Sequence, residues 1–121
     1  MGLKDEKLLQ ELFDELYDMF EYWADVKIEE IAKPPTREGF TSAERKALKT
    51  FIATDTGKNA LHKLLFAYGE SYMHSFLTYI DGGTGIKPLE ISNAHTRMPI
   101  AENTLHEYYS DYRREFKRLN G

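Results

Sequence analysis

The sequence predicts a mainly α protein, a single-domain bundle of about four helices with a small β-hairpin before the C-terminal helix. Three observations carry that prediction. Apolar residues recur at three-and-four spacing along four stretches. Each stretch opens or closes on capping and stop residues. Residues 86–101 depart from this pattern, with period-two alternation over residues 86–91 and a second short apolar piece at residues 98–101.

The first helix is expected from Leu3 or Lys4 to Ala32. Leu9, Leu12, Phe13, Leu16, Phe20, Trp23 and Ile31 form its amphipathic stripe. Asp5 and Glu6 lie near the positive end of its macrodipole, where anions are favoured. Tyr17, Met19 and Tyr22 widen the apolar face, which predicts contact with more than one neighbour. Pro34-Pro35 stops the helix, because proline lacks the N–H and biases the preceding residue away from helical geometry. The second helix opens at Thr41 or Ser42, with Glu44 placed three residues after Thr41 as a capping box requires. It runs to about Ala53. Thr54-Asp55-Thr56-Gly57 breaks the chain again, with Asp55 or Thr56 as the expected cap of the third helix.

Residues 58–85 are apolar around most of a helical circumference and end in Asp81-Gly82-Gly83-Thr84-Gly85. Leu61, Leu64, Leu65, Tyr68, Tyr72, Phe76 and Tyr79 form one apolar face, and Phe66, Met73, Leu77 and Ile80 a second. The polar wedge between them is about 100° wide and holds Glu70, His74 and Asp81. Such a helix is expected at the centre of the core, with the wedge, shared by Lys63, as the side that meets water. Gly69 costs about 1 kcal/mol against Ala, which predicts a close approach of another helix there. The terminal glycines follow a helix, at its negative end, so they read as a helix stop and not as a phosphate cradle.

Ile86-Lys87-Pro88-Leu89-Glu90-Ile91 and Met98-Pro99-Ile100-Ala101 are the two expected hairpin arms, joined by a turn-rich segment that contains Asn93, His95, Thr96 and Arg97. The last helix starts near Asn103 or Thr104, with Glu107 as a second capping-box residue. It carries Leu105, Tyr108, Tyr109, Tyr112, Phe116 and Leu119 on its apolar side. Arg113, Arg114, Lys117 and Arg118 sit at its negative end.

At 121 residues the chain is expected to form one domain, residues 1–121. A 41% hydrophobic and 30% charged composition is that of a folded protein, and 13% aromatics supply bulky core residues. With no cysteine, disulfides, thiolate metal sites and thiol nucleophiles are excluded. The charged start, Met1 to Lys7, leads into no apolar segment, so no secretory signal is expected. No stretch approaches the 18 or so uncharged apolar residues that span a bilayer, and a cytoplasmic protein without membrane contact is predicted. Residues 1–32 hold ten Asp or Glu against three Lys, so against a net charge of −4 the remainder is basic. An acidic stretch answering a basic one argues against nucleic acid as a partner.

Glu70 and His74, at i and i+4, could act as orienter and base or ligate a divalent metal, with Asp81 as a third ligand. The two-histidine pattern of helical zinc sites is absent, and no cofactor is implied. His95 and Arg97, at the hairpin tip, form a candidate anion or ligand loop. Tyr17, Met19, Tyr22 and Trp23, on the acidic first helix, are the candidate partner surface, since aromatic and Met residues favour interface cores. Two functions follow. The first is a non-enzymatic interaction or regulatory, inhibitor-like module that binds another protein or itself as a homodimer. The second is a small metal-dependent hydrolase using Glu70, His74 and Asp81.

Overall fold

The computed structural model of the chain describes residues 5–33, 39–82, 91–101 and 104–120. Four helices run in the order α1 (Glu6–Ala32), α2 (Ser42–Ile52), α3 (Asp55–Ile80) and α4 (Leu105–Asn120). The chain divides into two compact units, one of residues 1–17 with 70–121 and one of residues 18–69.

Local chemistry fixes the helix starts. α1 begins at Glu6, two or three residues after the expected Lys4 or Leu3, because Asp5 caps it. The Asp5 carboxylate accepts the Leu8 N–H at 3.1 Å, and its carbonyl accepts the Leu9 N–H at 2.9 Å. Leu3 and Lys4 lie outside the described residues, as do Pro34 and Pro35. At α2 the capping box forms as expected. Thr41 Oγ1 accepts from the Glu44 N–H at 3.1 Å, and Glu44 Oε1 accepts from the Thr41 N–H at 2.8 Å. At α3 the cap is Thr54 and not Asp55 or Thr56, with its hydroxyl accepting the Gly57 N–H at 3.0 Å. The end of α3 is the expected glycine stop. Gly82 has φ +87 and donates its N–H to the Tyr79 carbonyl; Gly83, Thr84 and Gly85 lie outside the described residues.

The expected β-hairpin is not seen, and the described residues contain no sheet. In its place residues 91–100 form a turn closed by one antiparallel bridge, Ser92 to Pro99. Asn93 organises that turn. Its side-chain Oδ1 accepts the His95 and Thr96 N–H groups, and its carbonyl accepts that of Arg97, which sits at φ +61. Across the turn the Asn93 N–H donates to the Met98 carbonyl and the Ile100 N–H to the Ile91 carbonyl, each at 2.8 Å, while Pro99 has no N–H to add. Residues 86–90, the other expected arm, lie outside the described residues.

In the unit of residues 1–17 and 70–121, Leu9, Phe13 and Tyr17 fall every fourth position on α1 and are buried. They pack with Leu77, Ile80, Ile100, Ala101, Leu105 and Tyr109 as its core. Aromatic edges set the register of α1 on α4. Tyr17 meets Phe116 and Tyr112 at ring separations of 4.6 and 4.9 Å, and Phe13 meets Tyr109 at 5.5 Å.

In the unit of residues 18–69, the buried positions on α1 are Ala24, Ile28 and Ile31. The close approach expected at Gly69 is made by Phe20, whose ring edges onto Phe66 at 5.9 Å. A Cβ on Gly69 would lie 2.9 Å from the Phe20 Cδ1. α2 contributes no fully buried residue.

α3 is turned opposite to expectation. Its polar wedge faces inward at Glu70, which is 3% exposed. The apolar face expected in the core, with Leu64, Tyr68, Tyr72, Phe76 and Tyr79, is 43–70% exposed. A polar wedge can be buried when its groups find partners, and those partners come from other helices.

Candidate functional site

The wedge residues of α3 lie in the unit of residues 1–17 and 70–121, where they meet α1 and α4. Tyr17 of α1 donates its hydroxyl to Glu70 Oε2 at 2.6 Å. From α4, Arg113 Nε stands 3.5 Å from the same oxygen, and the Tyr109 hydroxyl donates to the Glu70 carbonyl at 3.0 Å. One carboxylate therefore ties three helices. Burial holds both phenols in their neutral form. It raises Tyr17 well above the ordinary tyrosine range, helped by the hydrogen bond to Glu70. It pushes Tyr109 up to about 12, with the neighbouring Glu70 charge adding to the effect and the hydrogen bond to Tyr17 opposing it.

Asp81 sits two turns beyond His74 at the end of the same helix, and its side chain is 2% exposed. Its Oδ2 accepts the backbone N–H of His106 at 2.8 Å and lies 2.5 Å from the His106 ring Nδ1. The backbone bond places a carboxylate at the N-terminus of α4, a cap supplied from another helix at the positive end of its dipole. Asp81 Oδ1 is buried with no hydrogen-bond partner among the described residues. His74 is half-buried, its ring 6.2 Å from that of His106 and 6.5 Å from that of Tyr109. The three wedge residues thus join two constellations, Glu70 with Tyr17 and Arg113, and Asp81 with His106. Chemically, the first is a staple. The second orients an imidazole that is 30% exposed.

The other predicted site residues separate by position. Tyr17 belongs to the core and not to a surface. Met19, Tyr22 and Trp23 are about half exposed in the unit of residues 18–69, and Tyr22 and Trp23 meet edge to face at 5.3 Å. Met19 and Trp23 line an apolar groove of about 560 Å³ with Phe20, Leu61, Leu65 and Tyr68. His95 and Arg97 are exposed on the Asn93 turn.

Several residues that meet the wedge have no signal in the spacing. His106, Tyr109 and Arg113 lie 25 or more positions from the groups they meet. A second convergence was also missed. His62 Nε2 stands 3.1 Å from Glu21 Oε1 and 3.2 Å from Asp25 Oδ1. Among the described residues this is the set of three potential metal ligands whose donor atoms lie within 4.8 Å of one another. Both carboxylates are more than half exposed. Glu21 and Asp25 at i and i+4 share a face of α1, a signal the sequence does carry. Of the α4 cations, Arg114 pairs with Asp111 and Arg118 with Glu115, both within α4.

No protein-family profile matches the chain, and no curated protein or solved structure matches it significantly. Among the described residues, no helix is long and apolar enough to cross a membrane.

Proposed function

We propose that the protein is a non-enzymatic, cytoplasmic protein–protein interaction module whose contact surface is the outer face of α3. One observation carries the reading. Between Leu64 and Ile80 every exposed residue is uncharged, in a chain whose charged fraction is 30%. The one Asp, Glu, Lys or Arg in that stretch, Glu70, is buried. Water-facing helix surfaces normally carry the charge and hide the apolar residues. A face that reverses this order, and exposes rings well beyond scattered single residues, is the signature of a contact surface. The exposed Met19, Tyr22 and Trp23 of α1 add the residue types enriched in interface cores.

The hydrolase alternative draws support from the Asp81–His106 pair. Against it, Glu70 is taken up by Tyr17 and Arg113, and Asp81 is committed to the start of α4. Both carboxylates have structural work that accounts for their burial.

A photo-reactive side chain placed at Tyr68 in cells, with Lys46 on α2 as control, tests the interaction reading. A discrete adduct from Tyr68 and none from Lys46 is expected, whether the captured protein is this chain or another. Absence of any adduct from the α3 face contradicts the reading.

A further inference from the structure

We infer that the outer face of α3 takes a second copy of this chain, the two helices crossing near Ser71 on a two-fold axis. The inference rests on the reading of α3 as a contact surface and names its partner. α3 is one unbroken helix, so the register of its outer face follows from helical geometry alone.

Two rows run side by side along that face. Leu64, Tyr68, Tyr72 and Phe76 recur every fourth residue as a ridge of large side chains, and Tyr79 closes it. Beside it Ala67, Ser71 and Ser75 recur every fourth residue as a furrow of small ones. Helices pack by seating the ridge of one in the furrow of the other, and rows of every fourth residue favour a crossing near −50° at about 8–10 Å between axes. A helix that carries a ridge and a furrow of the same pitch is complementary to itself.

The absence of charge selects the same partner. Across a two-fold interface each residue near the axis meets its own copy, so any charge there would face a like charge. A heterologous partner recognised by charge would need a charged face to read, as the acidic side of α1 offers. From Leu64 to Ile80 the outer face of α3 has none, and the exposed Lys63 stands at its N-terminal end. The available area is of the right order. At roughly 200 Å² for a whole aromatic side chain, the exposed fractions of Tyr68, Tyr72, Phe76 and Tyr79 leave about 450 Å² open. That exceeds half of the ~800 Å² per partner in an ordinary stable interface. Tyrosine suits the rim of such a contact, because its ring packs while its hydroxyl stays wet.

The chain has no cysteine, so a single introduced thiol is a clean reporter. Ser71→Cys, at the middle of the stripe, is compared with Lys46→Cys, exposed on α2, under mild oxidation of the purified full chain. Ser71→Cys is expected to form the disulfide-linked dimer at least roughly tenfold faster, since pairing raises the effective concentration of facing thiols. Tyr72→Glu in the same background is expected to abolish that advantage, and in the parent chain to turn a concentration-dependent dimer into a monomer by sedimentation equilibrium. Circular dichroism checks that the helices persist, and Phe76→Lys replaces Tyr72→Glu if they do not. Equal cross-linking rates, or a dimer indifferent to both charge variants, overturn the inference. A monomer that still gives a Tyr68 photo-adduct with a different protein overturns self-pairing and leaves the interaction reading standing. A monomer that gives no adduct overturns both.

Discussion

Glu70 takes one hydrogen bond from Tyr17, faces the guanidinium of Arg113, and lends its carbonyl to Tyr109. Removing the hydroxyl alone, in Tyr17→Phe, keeps the ring packing on Tyr112 and Phe116 but strips the buried carboxylate of its shortest bond. A loss of about 1–3 kcal/mol in urea unfolding is expected, the cost of a buried polar group left short of a partner. The two phenols also set a pH dependence. Both hold their protons more tightly in the folded state than the ordinary value of 10, Tyr109 up to about 12. Above pH 10 the unfolded chain ionises first, so stability should be complete below that point and decline as pH rises toward 12. Unfolding curves taken from pH 8 to 12 should therefore slope downward, and Tyr109→Phe should flatten the slope. That Glu70, His74 and Asp81 share a face was legible, because a helix repeats every 3.6 residues. The direction of that face was not. Tyr17 lies 53 positions from Glu70, and His106 lies 25 from Asp81, distances over which periodicity carries no information.

At the scale of elements, local capping chemistry was readable at α2 and off by one residue at α3, where Thr54 is the cap. The Thr41–Glu44 capping box formed where the spacing placed it, since both partners lie within one turn. Thr41→Ala should lower stability by about 1 kcal/mol, measured by thermal or urea unfolding. Gly69 is a stronger test, because two rules oppose each other there. Alanine would add about 1 kcal/mol of helix propensity. Its Cβ, however, would sit 2.9 Å from Cδ1 and 3.1 Å from Cγ of Phe20, atoms near the root of the ring that cannot swing away cheaply. Overpacking of that kind costs about 1–3 kcal/mol, so Gly69→Ala should be destabilising overall, by about 1 kcal/mol. Of the expected hairpin, the described residues show only the turn and one bridge. The turn residues at 93–97 form the turn their chemistry suggests, with Asn93 binding the N–H groups of His95 and Thr96, and the alternating segment 86–90 lies outside the described residues. Alternating hydrophobicity says which face a residue prefers. It does not say where the backbone donors go.

Across the whole molecule the exposed charge is carried by α1, α2, α4 and the first turns of α3, while from Leu64 to Ile80 α3 turns its one Asp, Glu, Lys or Arg inward and an uncharged face outward. Composition identified α3 as the most apolar helix, and its two apolar faces were plain from the spacing. Which of them is exposed depends on where the partners of the wedge lie, and in residues 1–17 and 70–121 those partners are on α1 and α4. This orientation is the claim on which the interaction reading stands, and a pair of variants at dilution, where the chain is monomeric, tests it most directly. Glu70→Ala should cost about 3 kcal/mol in urea unfolding, because it leaves the buried Tyr17 hydroxyl and Arg113 without their carboxylate. Tyr72→Lys, on the outer face, should change stability by less than about 0.5 kcal/mol, as exposed substitutions usually do. The reverse result, a tolerated Glu70→Ala and a strongly destabilising Tyr72→Lys, would mean that the wedge meets water and the aromatic ridge fills the core.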